Sequence, residues 1–456
     1  MQSQILPSIL EAIGSTPLIQ LTKVTGDIKA RVLAKLELFN PGGSVKDRIA
    51  QNMIEAAEKD GSLKKGGTIV EATSGNTGAG LAIFAAVKGY KAIFTMSDKM
   101  SNEKIRLLKA YGAEVIVCPT AVPADSPESY YSVAKKIVQE TPNSILANQY
   151  FNPKNPEAHY LSTGPELWQQ TGGKIDYFVA GIGTGGTISG TAKYLKEKNP
   201  DIKIIGADPE GSILKEYFYT KKIIKDHPYK VEGVGEDILP GTLDFSIIDE
   251  VISKNDKQCF QAARKLARLE GVLAGGSAGL ALAVALDVAA RIPKDKTVVV
   301  LLPDAGERYL SKFYNDEWMR ENRFLDIVES TIDEILQVKS DTLSTVISVS
   351  KKTSIRDALK IMNQNNISQL PVVEDGKAIG SIEEGFLMAS LIENQERIEG
   401  LVEEVMDKPF PLLSAHDKIN QAKTLFAQKH PAILIEKNGE LRGIITKSDI
   451  ISFIAT

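Results

Sequence analysis

The sequence predicts an open α/β portion followed by a pair of small, repeated α/β modules, on three observations. Between residue 68 and about residue 303, short β-branched runs alternate with longer segments whose apolar residues recur at helical spacing. After Trp318 the texture changes through an acidic yet apolar stretch at 324–330. Two units of matching layout then follow one another.

Each element has its own justification. The β-branched runs lie at 68–70, 91–95, 114–117, 176–179, 202–205 and 297–302, with helical patterns such as 102–111 and 127–140 between them. Strand and helix in alternation imply a parallel sheet covered on both faces. The stretch at 324–338 reads as a linker between a first domain, 1–323, and a last one, 339–456. In the first repeat, about 339–396, a helix at 355–363 precedes strands at 369–374 and 378–382 joined by a turn at Asp375 and Gly376. In the second, about 401–456, a helix at 418–428 precedes strands at 432–436 and 441–445 joined at Asn438 and Gly439. A helix closes each repeat.

Composition narrows the function. At about 150 residues per domain, a 456-residue chain holds two to three domains. With 43% hydrophobic and 25% charged residues the chain is globular rather than disordered or fibrous. A net charge of −4 without a long Lys/Arg run argues against a nucleic-acid partner. No basic segment precedes an apolar stretch within residues 1–10, and the apolar segment at 279–290 is short and broken by Asp287, so a cytoplasmic protein without a membrane partner is expected. Cys118 and Cys259 are isolated, and His159, His227, His416 and His430 are scattered, so neither a disulfide framework nor a metal site is expected.

Three motifs carry chemistry. At 40–48 the sequence NPGGSVKDR sets Lys46 after a glycine turn and before an apolar helix at 49–57. A lone lysine is ordinarily a solvated surface residue, and only its company raises its standing. At 73–78 the sequence TSGNTG follows a strand and opens a helix, where amides and small hydroxyls form a concave site for a carboxylate. Such clusters also serve simply as helix caps. At 181–187 the sequence GIGTGGT again joins strand to helix. Its spacing is neither that of a dinucleotide fingerprint nor that of a Walker loop, and a single phosphate fits it better.

A lysine, a carboxylate cradle and a monophosphate cradle at strand ends of one fold together describe pyridoxal phosphate with an amino acid attached. With Gly275–Gly279 added, these motifs resemble the full set of the fold-type II pyridoxal-phosphate enzymes, a likeness that spans about residues 9–324. The fold class implied is two subdomains of open sheets. By that resemblance Lys46 binds the cofactor covalently, Asn76 hydrogen-bonds its ring oxygen, and Gly183, Thr184, Gly185, Gly186 and Thr187 hold its phosphate. Ser277 faces the pyridine nitrogen. A hydroxyl there leaves the nitrogen unprotonated and the ring a restrained electron sink, which favours β-elimination over transamination. Thr73, Ser74, Thr77 and Gln149 are the substrate-carboxylate residues that the resemblance implies.

Within that superfamily, the stretches at 208–213, 231–237, 302–304 and 311–319 are similar to those of cystathionine β-synthases. The resemblance implies a lyase that condenses L-serine, or O-acetylserine, with L-homocysteine, Lys46 acting as anchor, base and acid in turn. Cysteine synthase, using O-acetylserine and sulfide with a side activity that produces hydrogen sulfide, is the alternative. A ligand sensor with an inert catalytic domain is another, and absence of visible cofactor absorbance would reveal it. Two features depart from the animal enzymes. No Cys or His precedes the catalytic motifs, so haem is not expected. Glu236 stands where many animal members have tyrosine, which leaves open whether hydroxyl or acetate is the preferred leaving group.

The C-terminal repeats resemble a pair of CBS domains, which implies adenosine-containing ligands. Their pattern of glycine, hydroxyl and carboxylate survives in the second repeat as Gly443, Thr446 and Asp449, whereas the first has Glu383 and Phe386 at the hydroxyl and carboxylate positions. One adenosyl site is therefore expected, built on Thr446 and Asp449, with S-adenosylmethionine the first choice and an adenine nucleotide the second. Alternatively, the repeats only stabilise the oligomer and Asp449 caps the last helix. Fold analogy implies a homodimer or a larger homo-oligomer.

Overall fold

Runs of Val, Ile and Leu without a solvent-facing partner residue become fully buried strands: all six residues of Thr297–Leu302 are buried. The computed structural model describes residues 5–73, 75–98, 100, 102–119, 122–123, 126–325, 330–339 and 346–455, and its chain divides into two compact units, Met1–Phe324 and Leu325–Thr456.

The first unit holds two sheets. The larger orders its strands Leu18–Gln20, Arg31–Leu36, Thr297–Leu302, Tyr177–Gly181, Lys203–Pro209 and Glu250–Lys254. All pairs are parallel except the edge pair at Leu18–Gln20. The smaller, wholly parallel, orders Glu114–Cys118, Lys91–Ser97, Thr68–Ala72 and Ser144–Leu146. All six expected runs are strands, shared between two sheets as the two-subdomain fold class requires. Four strands escape the periodicity. Leu18–Gln20 and Ser144–Leu146 have three residues each, Arg31–Leu36 carries Lys35 inside the strand, and Glu250–Lys254 is charged at both ends.

Helices cover the sheets. The expected helix at 49–57 is longer, Lys46–Asp60, and stops where Gly61 turns left-handed at φ 80°. Gly276–Ala290 is apolar all round because it lies in the core, with eleven of its fifteen residues buried. Among the described residues no helix is long and apolar enough to cross a membrane, and no cluster of three or more His, Cys, Asp or Glu could hold a metal.

A buried ionic cluster fixes the segment ahead of Lys46. The Arg48 guanidinium pairs with both Glu166 oxygens at 2.7 Å and with Glu37 at 2.7 and 2.9 Å. Lys35, wholly buried, reaches Glu166 at 2.8 Å. Burial works to raise the Glu166 carboxyl, but Arg48 and Lys35 overcome it and hold it at about 2.

In the second unit the repeats run helix Ile355–Asn365, strands Gln369–Glu374 and Lys377–Glu383, helix Glu384–Glu393; then helix Ile419–Ala427, strands Ala432–Lys437 and Glu440–Thr446, helix Lys447–Ala455. Asp375 and Gly376, and Asn438 and Gly439, all have positive φ, as a two-residue hairpin turn requires. Within the stretch read as linker, Ile332–Lys339 is a helix whose Ile332 and Ile335 join the core of the second repeat. Residues 326–329 and 340–345 lie outside the described residues.

Candidate active site

Parallel strands point their carboxyl ends the same way, and the loops that leave those ends converge on one cavity of about 240 Å³. Lys46, Asn76, Thr77, Gln149, Gly183, Thr184, Gly185, Thr187 and Ser277 line it. Thr73 and Gly186 do not. The Thr73 hydroxyl accepts from the Gly75 and Gly78 amides and so shapes the loop from behind. Ser74 lies outside the described residues.

Lys46 begins its helix because the preceding turn is stitched to the end of strand Thr297–Leu302. Val45 N donates to Pro303 O at 2.8 Å and Ala305 N to Gly43 O at 3.0 Å. Gly43 takes φ 71° in that turn. Desolvation lowers the amine's pKa, while the charges of Asp304 and Glu236 pull the other way. Burial thus disfavours the charged amine, and the neutral amine is the form that acts as nucleophile and base.

Asp304, buried to 1% exposure, is the hub that sequence reading missed. It accepts from Asn76 Nδ2 at 2.9 Å, from the Tyr309 hydroxyl at 2.7 Å and from the Ser277 hydroxyl at 3.2 Å. The Arg308 guanidinium donates to Asn76 Oδ1. With one amide proton on Asp304, Asn76 keeps a second to offer. The detectable signal was position: Asp304 follows the carboxyl end of a central parallel strand.

Glu236 and Glu232 face the same cavity. Burial and the neighbouring Asp237 push Glu236 up to about 8, against a hydrogen bond with Tyr150 and the charge of Lys46. Glu232 bridges Lys104 and Lys312. Gln149 is 6% exposed, and its Oε1 accepts from the Thr77 hydroxyl at 2.6 Å.

The glycine-rich loop suits a phosphate. The amides of Gly183, Thr184 and Gly185 donate to no backbone carbonyl among the described residues, and those of Gly186 and Thr187 lie in the first turn of helix Gly186–Lys198, where amides have no partner within the helix. A Cβ on Gly183 would lie 2.9 Å from the Gly233 carbonyl, so only glycine leaves this backbone its place. Amide donors, two threonine hydroxyls and a desolvated lysine in one cavity are the donor set that pyridoxal phosphate needs.

In the second repeat, Asp449 Oδ2 accepts from Thr446 N at 2.7 Å, from the Thr446 hydroxyl at 2.8 Å and from Lys339 Nζ at 2.9 Å. Asp449 is the third residue of its helix, so it reaches back to Thr446 as the reciprocal half of a capping box does rather than standing ahead of the helix as its cap. In the first repeat Glu383 ends its strand, and Phe386 lies in the following helix, 62% exposed.

Comparison with known proteins agrees with this geometry. The family model described as pyridoxal-phosphate dependent enzyme matches residues 9–304, and the CBS domain model matches 338–385 and 402–456. The cystathionine beta-synthase of Dictyostelium discoideum is 41% identical over 99% of this chain and 92% of its own length. A cysteine synthase of Staphylococcus aureus is 47% identical over 67% of this chain and 95% of its own. The crystal structure of an O-acetylserine dependent cystathionine beta-synthase from Helicobacter pylori superposes with a TM-score of 0.63 at 39% identity, covering 68% of this chain and 99% of that one.

Proposed function

The chain belongs to the pyridoxal-phosphate dependent enzymes and, within them, to the cystathionine β-synthases, and on that premise we propose that it joins the β-carbon of L-serine or O-acetyl-L-serine to the thiol of L-homocysteine, giving L-cystathionine, with Lys46 as the catalytic residue. The observation that carries the assignment is the desolvated Lys46 amine sharing one cavity with Asn76, Ser277 and the loop Gly183 to Thr187.

Pyridoxal phosphate, when bound, supplies an electron sink for the pair left at Cα when its proton is removed. The remaining work falls to this chain's side chains. Lys46 takes the proton from Cα, the Cβ–O bond breaks to release water from serine or acetate from O-acetylserine, the homocysteine sulfur adds at Cβ as the thiolate, and Lys46 returns the proton to Cα. Asn76 would meet the cofactor's ring oxygen and Ser277 its pyridine nitrogen. Gly183, Thr184, Gly185, Gly186 and Thr187 would hold the phosphate. Thr77 and Gln149, with Ser74, hold the substrate carboxylate, while Thr73 shapes their loop from behind.

Steady-state assays with both donors against both acceptors test the reading. Cystathionine formation is expected to be the faster reaction. Faster cysteine formation from O-acetylserine and sulfide would install the cysteine-synthase reading, which the Staphylococcus aureus relative favours. The CBS pair and the full-length match to the Dictyostelium relative favour the first.

The second repeat supplies the adenosyl site, with Asp449 on the ribose hydroxyls and Thr446 beside the group that follows, S-adenosylmethionine being preferred to an adenine nucleotide. Support comes from the two side chains lying 2.8 Å apart at one strand-to-helix junction. The chain self-associates as a dimer or larger, which sedimentation velocity checks; the exposed Phe151 and Leu161 of the first unit are apolar surface suited to it.

A further inference from the structure

Behind the phosphate loop lies helix Lys154–Leu161, which packs on helix Gly186–Lys198. Gly190 permits the approach, since a Cβ there would come within 2.9 Å of the His159 Cβ. Asn155 and His159, four residues apart and therefore on one face, are 1% and 0% exposed. Each touches one threonine hydroxyl of the loop. Asn155 Nδ2 lies 3.1 Å from Thr184 Oγ1, and His159 Nε2 lies 3.2 Å from Thr187 Oγ1.

We infer that Asn155 and His159 are positioning residues that donate to the oxygens of Thr184 and Thr187, so that both hydroxyl protons point into the phosphate site. This rests on the loop's assignment as the phosphate cradle. The Asn155 amide is oriented by its other bond, Nδ2 to Gln149 O at 2.7 Å, because the flipped amide would set oxygen against oxygen. A hydroxyl oxygen that accepts from Asn155 has its own proton free for an anion. For His159 the tautomer decides. Burial lowers its pKa to about 3, so the ring is neutral and carries one proton. Its Nδ1 lies 2.9 Å from Thr163 Oγ1. With the Thr163 hydroxyl donating to Nδ1, the proton sits on Nε2 and is given to Thr187. The opposite tautomer would draw the Thr187 proton away and turn a lone pair toward the phosphate, which only accepts.

The test is cofactor affinity, measured by titrating the apo form of the full chain with pyridoxal phosphate, in a double-mutant cycle. Thr187→Val should weaken binding about tenfold, the worth of one hydrogen bond to a charged group. His159→Phe should weaken it similarly, the double variant no further, and His159→Gln, which restores a donor, should recover most of the loss. The same pattern is expected for Asn155→Ala with Thr184→Val. Losses that multiply within a pair would reduce that helix residue to packing and overturn the inference. Affinity unchanged in both threonine variants would instead overturn the phosphate-cradle reading itself. Independently of any variant, the ¹⁵N shifts of the His159 ring in the wild-type holoenzyme should report a neutral Nε2–H tautomer; an Nδ1–H or doubly protonated ring would sink the proposal.

Discussion

Asn76 Nδ2 donates to Asp304 Oδ2 at 2.9 Å, joining the helix that opens the smaller sheet's cradle to the loop that leaves the central strand of the larger sheet. Through the same carboxylate the Ser277 and Tyr309 hydroxyls are tied in. The two groups assigned to the cofactor ring thus share one support.

Asp304→Ala should therefore act on several residues at once. It leaves the donors of Asn76, Ser277 and Tyr309 without their acceptor, costing about 3 kcal/mol of stability in urea unfolding of the apo-protein and weakening pyridoxal phosphate about tenfold. Unchanged stability and affinity would mean that the hub is dispensable.

Arg48 lies two residues beyond Lys46 and holds Glu37 and Glu166 in a fork. Arg48→Ala takes the guanidinium from the buried Glu37 carboxylate, and from Glu166, which keeps Lys35, and should cost about 3–5 kcal/mol. Arg48→Lys keeps the charge but not the fork, so it should recover less than half of that loss in chemical denaturation.

Glu236 gives a pH signature. Its folded value of about 8 stands above the usual 4.5, so between those values the folded carboxyl keeps a proton that the unfolded chain releases. Stability from this source is fully present below pH 4.5, falls as pH rises and is gone above 8. Asp47 and Glu71, raised by burial to about 7, slope the same way, so the comparison must be with Glu236→Gln. Wild type should lose stability relative to that variant between about pH 5 and 8 and run parallel to it above about 9. Parallel curves throughout would place the Glu236 value near normal.

At the second repeat, Asp449→Ala removes the acceptor for the Thr446 amide and should cost about 1 kcal/mol as a lost cap does. It should also abolish the calorimetric heat of S-adenosylmethionine and of adenine nucleotides. No heat from wild type, or heat untouched by the substitution, would show that the ligand does not sit on this pair.

The sequence by itself determined what depends on neighbours along the chain. Strand 297–302 was legible because six consecutive apolar or β-branched residues leave no exposed face. The turns at Asp375 and Gly376 and at Asn438 and Gly439 were legible because few residues accept positive φ. The two cradles stood out for a local reason, glycines and small hydroxyl residues between a strand and a helix, and Lys46 stood out through their company. What only the tertiary structure decided is which distant side chains meet. Nothing periodic links Asp304 to Asn76, His159 to Thr187 or Arg48 to Glu166. Their pairing follows from the way the strand ends and helices of the first unit pack together. The same packing removes water from Lys46, Glu236 and His159 and so sets their protonation, a property of the surrounding dielectric that no residue carries in its own identity.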